Sequence, residues 1–345
     1  MKTKIFEITH IDDKAEEELI QAAEILQKGG LVAFPTETVY GLGADALDPA
    51  AVQKIYLAKG RPSDNPIIVH ISDIEMLNML TPVKPEDVEV LTEKFWPGPL
   101  TVILPKKPQV PDVATGGLAT VAVRMPDDPI AMRFIGLSGR PVAAPSANIS
   151  GRPSPTKGEH VIRDLSGKVD VIIKGGDCKV GIESTVLDLT GPVPVILRPG
   201  VITAEQLSEA LNKKVVVDPG ILAQSKGKNE TGCGKELIPK SPGMKYAHYA
   251  PKAEMIILRG RAEDVKYEAE RMRSEREKAG GKTGIIIFEE KASEKAAHDF
   301  YAKLRELDDI GVELIIAGAL SDEDPVGLAV MNRMIKAAGF KVIDV

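Results

Sequence analysis

Two spacings of apolar residues alternate along the chain. From Asp12 to Lys28, the positions Ile20, Ala23, Ile25 and Leu26 recur at helical spacing. Asp12 or Asp13 is placed to cap that helix, and Gly29-Gly30 stops it. LVAFPT follows as a short buried strand. Asp48-Pro49 sets a capping side chain ahead of a first-turn proline; Val52, Ile55 and Tyr56 then share one face, and Gly60 ends the helix. Further strands are predicted at 67–71 (IIVHI), 100–105 (LTVILP), 120–126 (TVAVRMP), 141–146 (PVAAPS) and 168–174 (KVDVIIK). Thr156-Lys157-Gly158-Glu159 predicts a capping box before a helix through Leu165. TVLDLT and PVPVILRPG predict a hairpin about Gly191-Pro192. Some neighbouring strands are joined by helices and others by turns, so residues 1–217 predict a mixed α/β twisted sheet.

The pattern breaks at residues 218–253, which are rich in glycine, lysine and proline and carry little periodicity. A linker of that length is usually functional or disordered. From 254 to 345 the alternation resumes. MIILR, GIIIF, VELIIAGAL and FKVIDV predict strands, and helices are predicted at 262–279, 292–307 and 326–338. That is a smaller parallel α/β domain of Rossmann-like order. The glycine fingerprint is missing after its first strand, where Leu258-Arg259-Gly260-Arg261 stands. Gly281-Lys282-Thr283 ends like a phosphate loop, but Arg276 occupies the first glycine position and a strand follows, so no second nucleotide site is expected there.

Charge sharpens this division. The net charge of −6 argues against a chain whose whole surface grips nucleic acid. Residues 1–217 carry −5, residues 218–253 carry +3 and residues 254–345 carry −4, so two acidic bodies flank a basic connector. No apolar run approaches the roughly 18 residues of a membrane span. The N-terminus lacks an apolar signal core, so the expected location is cytoplasmic, without a membrane partner. Neither the two cysteines nor the five histidines show metal-ligand spacing, and no protein-held metal is expected.

Several polar clusters interrupt the N-terminal strands. Lys59-Gly60-Arg61-Pro62-Ser63-Asp64-Asn65-Pro66 puts two cations into a loop stiffened by prolines, suited to phosphate. The same cations at a helix end are also compatible with a solvated surface. Thr36 to Gly43 reads equally as a holder of a small polar ligand, through its hydroxyls and backbone N–H groups, or as a tight polar turn in which Gly41 and Gly43 supply positive φ. Ser146-Ala147-Asn148 ends an apolar strand. Arg124 interrupts another and requires a partner or a ligand anion. Glu183-Ser184-Thr185-Val186 and Arg198-Pro199-Gly200 lie on the two arms of the hairpin. No nucleophile motif, Walker loop or carboxylate cluster is present, so the chemistry expected rests on positioning and charge neutralisation.

Taken in order, PTETVYGLG (35–43), KGRPSDNPIIVHI (59–71), VAVRMP (121–126), APSANISGRPSPT (144–156), ESTVLD (183–188), RPG (198–200) and SPGMKYAHYAP (241–251) closely resemble the YrdC-type threonylcarbamoyl-AMP synthases in their long two-domain form. The resemblance spans essentially the whole chain. It implies formation of threonylcarbamoyl-AMP and pyrophosphate from L-threonine, bicarbonate or CO2, and ATP accompanied by Mg2+, for later transfer to adenosine 37 of tRNA. A downstream tRNA-modifying machinery is the implied partner, and direct tRNA contact is open. By the same resemblance, Lys59, Arg61, Ser146 and Asn148 surround the nucleotide phosphates, with Lys59 and Arg61 as the catalytic cations. Asn65, Thr120, Ser154 and Arg198 look like further nucleotide contacts. Thr38, His70, Arg124, Ser184 and the backbone at Ala144 look like the threonine pocket. Asp128 departs from the pattern, since many relatives carry histidine there. The basic linker, with Lys240, Ser241, Lys245, Tyr246 and His248, is expected to fold over the site as a lid. Two other readings stay open: a double-stranded RNA-binding module without catalysis, and a carbamoyl transferase with another acceptor.

Overall fold

The computed structural model describes residues 2–82, 86–225, 249–289 and 291–345. Its first strand, β1 (Lys4–Glu7), buries only Phe6 and carries no alternating pattern that would announce it. α1 (Asp13–Gln27) begins where Asp12 accepts from the Ala15 N–H at 2.8 Å. It buries Ala15, Leu19, Ala22, Ala23 and Leu26, while Ile20 faces solvent. β2 (Val32–Phe34) and β3 (Gly41–Asp45) pair antiparallel. α2 (Pro49–Lys59) is capped by Asp48 and ends on Gly60 in the left-handed region, with φ of 63°. The chain continues through β4 (Ile68–His70), α3 (Ile74–Leu80), α4 (Glu86–Phe95), β5 (Leu100–Pro105), α5 (Asp112–Thr115), β6 (Thr120–Arg124) and α6 (Pro129–Ser138). Then come β7 (Val142–Ala143), α7 (Gly158–Leu165), β8 (Val171–Lys174), β9 (Thr185–Asp188), β10 (Val195–Arg198), α8 (Ala204–Leu211), β11 (Val216–Val217) and α9 (Pro219–Ser225).

These strands form one sheet in the order β1-β8-β2-β3-β7-β4-β6-β5-β9-β10-β11. It is mixed: β4 and β6 are parallel, whereas β7 runs antiparallel to both of its neighbours, β3 and β4. The parallel β4–β6 register sets His70 directly beside Arg124. The hairpin about Gly191-Pro192 forms as β9 and β10, with an irregularity between Ile196 and Arg198. The second unit comprises β12 (Glu254–Arg259), α10 (Ala262–Lys278), β13 (Thr283–Ile286), α11 (Ser293–Asp309), β14 (Leu314–Gly318), α12 (Pro325–Ala337) and β15 (Val342–Asp344). Its sheet, β13-β14-β12-β15, is parallel throughout. The layout follows the predicted alternation; relative to the usual dinucleotide-binding order, the domain's second and third strands, β13 and β14, are exchanged.

Two local expectations are corrected. Thr36 to Gly43 is not simply a turn: Gly41 and Gly43 lie in β3, and neither has a positive φ. A Cβ on Gly43 would lie 2.7 Å from Val142 Cγ1 and 2.9 Å from Phe34 Cε1, so close strand packing explains the glycine. The capping box at Thr156 does not form. Lys157 takes the cap position of α7 without a side-chain bond, and the Thr156 N–H donates to His160 Nδ1 at 3.3 Å. Asp128 caps α6 by accepting from the Ala131 N–H at 2.9 Å, a role any short polar side chain can fill. Among the described residues, no helix is long and apolar enough to cross a membrane.

Candidate active site

Strand ends and loops of the N-terminal sheet surround a cavity of about 740 Å³, counting its mouth open to solvent. Ten of the residues singled out from the sequence line it: Thr38, Lys59, Arg61, His70, Arg124, Ala144, Ser146, Asn148, Ser184 and Arg198.

The cations of the Lys59–Pro66 loop are not a solvated surface pair. Lys59, the last residue of α2, is buried, and its ammonium donates to the carbonyls of Ser146 and Asn148, the latter at 2.5 Å. The 144–148 segment is in turn held against β3: Leu42 N–H donates to Pro145 O at 2.8 Å and Ala147 N–H to Tyr40 O at 2.7 Å. Burial, and then the neighbouring Arg61 charge, push the Lys59 amine well below the ordinary lysine range. Among the described residues, Arg61 donates to main-chain carbonyls at Asn65 (3.4 Å) and Pro66 (3.1 Å), and its buried Nε has no partner. Burial lowers its pKa to about 10. Among the described residues, Arg198 is held by Ser184, through Nε to the carbonyl at 3.0 Å and Nη2 to Oγ at 3.1 Å. Among the described residues, no carboxylate forms an ion pair with Lys59, Arg61 or Arg198. Buried Lys59 and Arg198 and half-buried Arg61 thus line one cavity without a carboxylate ion pair among the described residues, an arrangement suited to a polyanion.

Arg124 differs. Its Nη2 sits 2.5 Å from Glu37 Oε2, an ion pair rather than an aligned hydrogen bond. Nη1 donates to Thr38 Oγ1 at 2.8 Å and Nε to Gly98 O at 3.2 Å. The partner that a buried strand arginine requires is therefore Glu37, a residue in view in the sequence but given no role. His70 lies beside this pair with Nδ1 unpartnered. Burial, reinforced by Arg124, lowers its pKa to about 3, so the imidazole is neutral at physiological pH. Ser184 Oγ shares a 2.7 Å hydrogen bond with Thr101 Oγ1. Short hydroxyls and a neutral imidazole thus line the same cavity as the cations.

Three predicted nucleotide contacts stand off the cavity wall. Thr120 opens β6 and is half-buried. Ser154 is fully buried and donates to Glu183 Oε1 at 2.6 Å, one side chain removed from the cavity. Asn65 is buried, and neither end of its amide has a partner among the described residues. The linker residues Lys240, Ser241, Lys245, Tyr246 and His248 lie outside the described residues. Sequence reasoning missed several wall and supporting groups. Tyr249 lines the cavity with φ of 70°, its ring 5.3 Å from that of Tyr301. Arg152 lines the rim, paired with buried Asp164 at 3.2 Å, which Arg305 of α11 also binds at 2.9 Å. Tyr249 falls inside the SPGMKYAHYAP match and Arg152 inside APSANISGRPSPT, but neither was given a role; Asp164 and Arg305 carry no local signal. Among the described residues, no group of three or more His, Cys, Asp or Glu side chains gathers as a metal site.

The twisted mixed sheet and its cation-lined cavity define an α/β protein built around an anion-binding loop and a short-hydroxyl pocket. Comparison with known proteins agrees with that class. Residues 24–200 match the Sua5/YciO/YrdC family model, described as telomere recombination, and residues 202–339 match the model described as threonylcarbamoyl-AMP synthase, C-terminal domain. Threonylcarbamoyl-AMP synthase of Bacillus subtilis is 47% identical, over 99% of this chain and 100% of its own length. The enzyme of that name from Pyrococcus abyssi is 45% identical over 98% and 99%. The crystal structure of P. abyssi Sua5 complexed with L-threonine superposes with a TM-score of 0.90 at 44% identity, covering 99% of this chain and 100% of that one. The chain belongs to the Sua5/YrdC family, in the form that carries both domains.

Proposed function

We propose that this protein is an L-threonylcarbamoyladenylate synthase, a nucleotidyltransferase that supplies threonylcarbamoyl-AMP for modification of adenosine 37 in tRNA. The observation that carries this reading is the convergence of buried Lys59 and Arg198 and half-buried Arg61, without carboxylate ion pairs among the described residues, on one cavity that Thr38, His70 and Ser184 also line. The names of the full-length relatives and the threonine complex of one of them support it.

The threonine amine attacks CO2 and releases a proton, or attacks bicarbonate and releases water that carries off the amine proton, to give a carbamate in either case. A carbamate oxygen then attacks the α-phosphorus of ATP, the bond to the bridging oxygen breaks, and pyrophosphate leaves. Charge accumulates on the phosphoryl oxygens and the departing pyrophosphate, where Lys59, Arg61 and Arg198 are placed to neutralise it. The magnesium ion arrives on the ATP phosphates as part of that substrate. Ser146 and Asn148 keep Lys59 in place: Asn148 Oδ1 accepts from Ser146 Oγ at 2.5 Å and lies 3.4 Å from the Lys59 amine. Hydroxyl and imidazole groups toward Thr38, His70 and Ser184 favour threonine over valine, since the wrong side chain would leave them unpaired. Neutral His70 acts as a hydrogen-bonding group there, not as a cation.

The test is pyrophosphate release. It requires ATP, threonine and bicarbonate together, and omission of any one returns it to background. Release that ignores threonine overturns the assignment.

A further inference from the structure

The C-terminal domain reaches into the wall of this cavity through one carboxylate. Glu183 Oε1 accepts from Ser154 Oγ at 2.6 Å and from Tyr301 OH at 3.1 Å; Oε2 accepts from Tyr301 OH and from Arg333 Nε, both at 3.1 Å. Arg333, on α12, is fully buried. It also donates to Glu183 O at 3.2 Å, to Ala329 O at 3.0 Å and to the carbonyl of Pro199, the residue after Arg198.

One carboxylate thus faces two guanidinium groups. Arg333 takes it directly, and Arg198 is left bonded to Ser184 with no ion pair of its own among the described residues. Burial alone would drive the Glu183 carboxyl up, yet it is held below the usual range by Arg333 and, after it, by Arg198. A buried carboxylate stripped of its partner is strongly unfavourable and recruits the nearest cation. Here that cation is Arg198.

We infer that Arg333 is a positioning residue of the nucleotide site: by neutralising Glu183 and holding the Pro199 carbonyl, it keeps Arg198 available to the phosphates of ATP. The C-terminal domain is in this sense part of the active site. The inference rests on the ATP reading of the cavity, and the experiment separates the two.

The full chain is titrated with ATP by calorimetry, and with L-threonine in parallel. A parent chain that binds no ATP overturns the nucleotide reading and this inference with it. With the parent binding, Arg333→Met weakens ATP by about tenfold while threonine affinity stays within about threefold. Adding Glu183→Gln removes the stray charge, so the R333M/E183Q chain recovers ATP affinity to within about threefold of the parent. A mere clamp between domains predicts a lower melting temperature with ATP affinity kept, or a double variant no better than R333M; either result overturns the inference. If R333M does not fold, E183Q alone decides. It is expected to bind ATP at least as tightly as the parent, and binding weakened by about tenfold rules the inference out.

Discussion

The ammonium of Lys59 donates to the backbone carbonyl of Asn148 at 2.5 Å, across 89 residues of sequence. The end of α2 is thereby tied to the Ser146–Asn148 segment, and the charge is aimed into the cavity instead of toward solvent. Lys59→Ala removes one preorganised cation and is expected to lower kcat/KM for ATP by about a hundredfold to a thousandfold. Asn148→Ala keeps both carbonyls but removes Oδ1, which lies 3.4 Å from the amine and accepts from Ser146 Oγ, and costs less, about tenfold. Because the two residues act as a unit, the double variant is no worse than K59A alone. Additive losses in steady-state kinetics contradict this linkage.

Arg124 and Glu37 form a buried pair, so breaking it differs from removing it. Arg124→Gln leaves a buried carboxylate uncompensated and is expected to cost about 3–5 kcal/mol in chemical denaturation. R124Q/E37Q recovers most of that stability. Threonine binding by calorimetry stays weak in both, since the guanidinium is absent in both. A double variant that binds threonine like the parent removes Arg124 from the amino-acid pocket.

His70 is neutral in the folded chain down to a pKa of about 3, whereas an unfolded histidine protonates near 6.5. As pH falls below about 6.5, the unfolded state takes up a proton that the folded state refuses, so stability drops. The slope from this one residue is about 1.4 kcal/mol per pH unit until pH nears 3. His160, lowered to about 4 by burial and then by Arg305, adds a similar slope over a shorter window. Urea denaturation at successive pH values between 7 and 4 measures the effect. His70→Gln is expected to flatten the dependence, and an unchanged slope shows that His70 already titrates normally.

Gly181 joins the two domains at close range. Its φ of +83° is in the left-handed region, and an added Cβ would lie 2.6 Å from the Ala297 carbonyl oxygen on α11. Gly181→Ala therefore meets both backbone strain and a backbone clash, with an expected destabilisation of about 2–4 kcal/mol. Hydrogen exchange that rises along α11 and α12, more than in β2 or β3, locates the damage at the domain contact. Uniform protection equal to that of the parent contradicts the packing described.

How much of this was legible depended on the range of the signal. The Asp48 cap, the apolar face of α2 and the Gly60 stop are neighbours in sequence, and they placed Lys59 at a helix end before any coordinates did. β1 gave no such pattern, because an edge strand with one buried residue has no alternation to read. Two-residue β7 is shorter than the apolar run that contains it. Thr156 had a capping sequence, but tertiary contacts engaged its backbone: its N–H goes to His160 and its carbonyl accepts from the Cys178 N–H at 2.9 Å. For the site, resemblance in motif order identified ten residues that line one cavity. The charge bookkeeping behind them stayed hidden. Glu183 and Arg333 are 150 residues apart, and no local spacing relates a strand-end carboxylate to a helix in another domain.

The most direct measurement is mass spectrometry of the product formed from ATP, L-threonine and 13C-labelled bicarbonate by the full chain. The predicted result is a threonylcarbamoyl adenylate carrying one labelled carbon, formed together with pyrophosphate and lost in Lys59→Ala. ATP hydrolysis without a labelled adenylate would contradict the assignment of this cavity to carbamate adenylation.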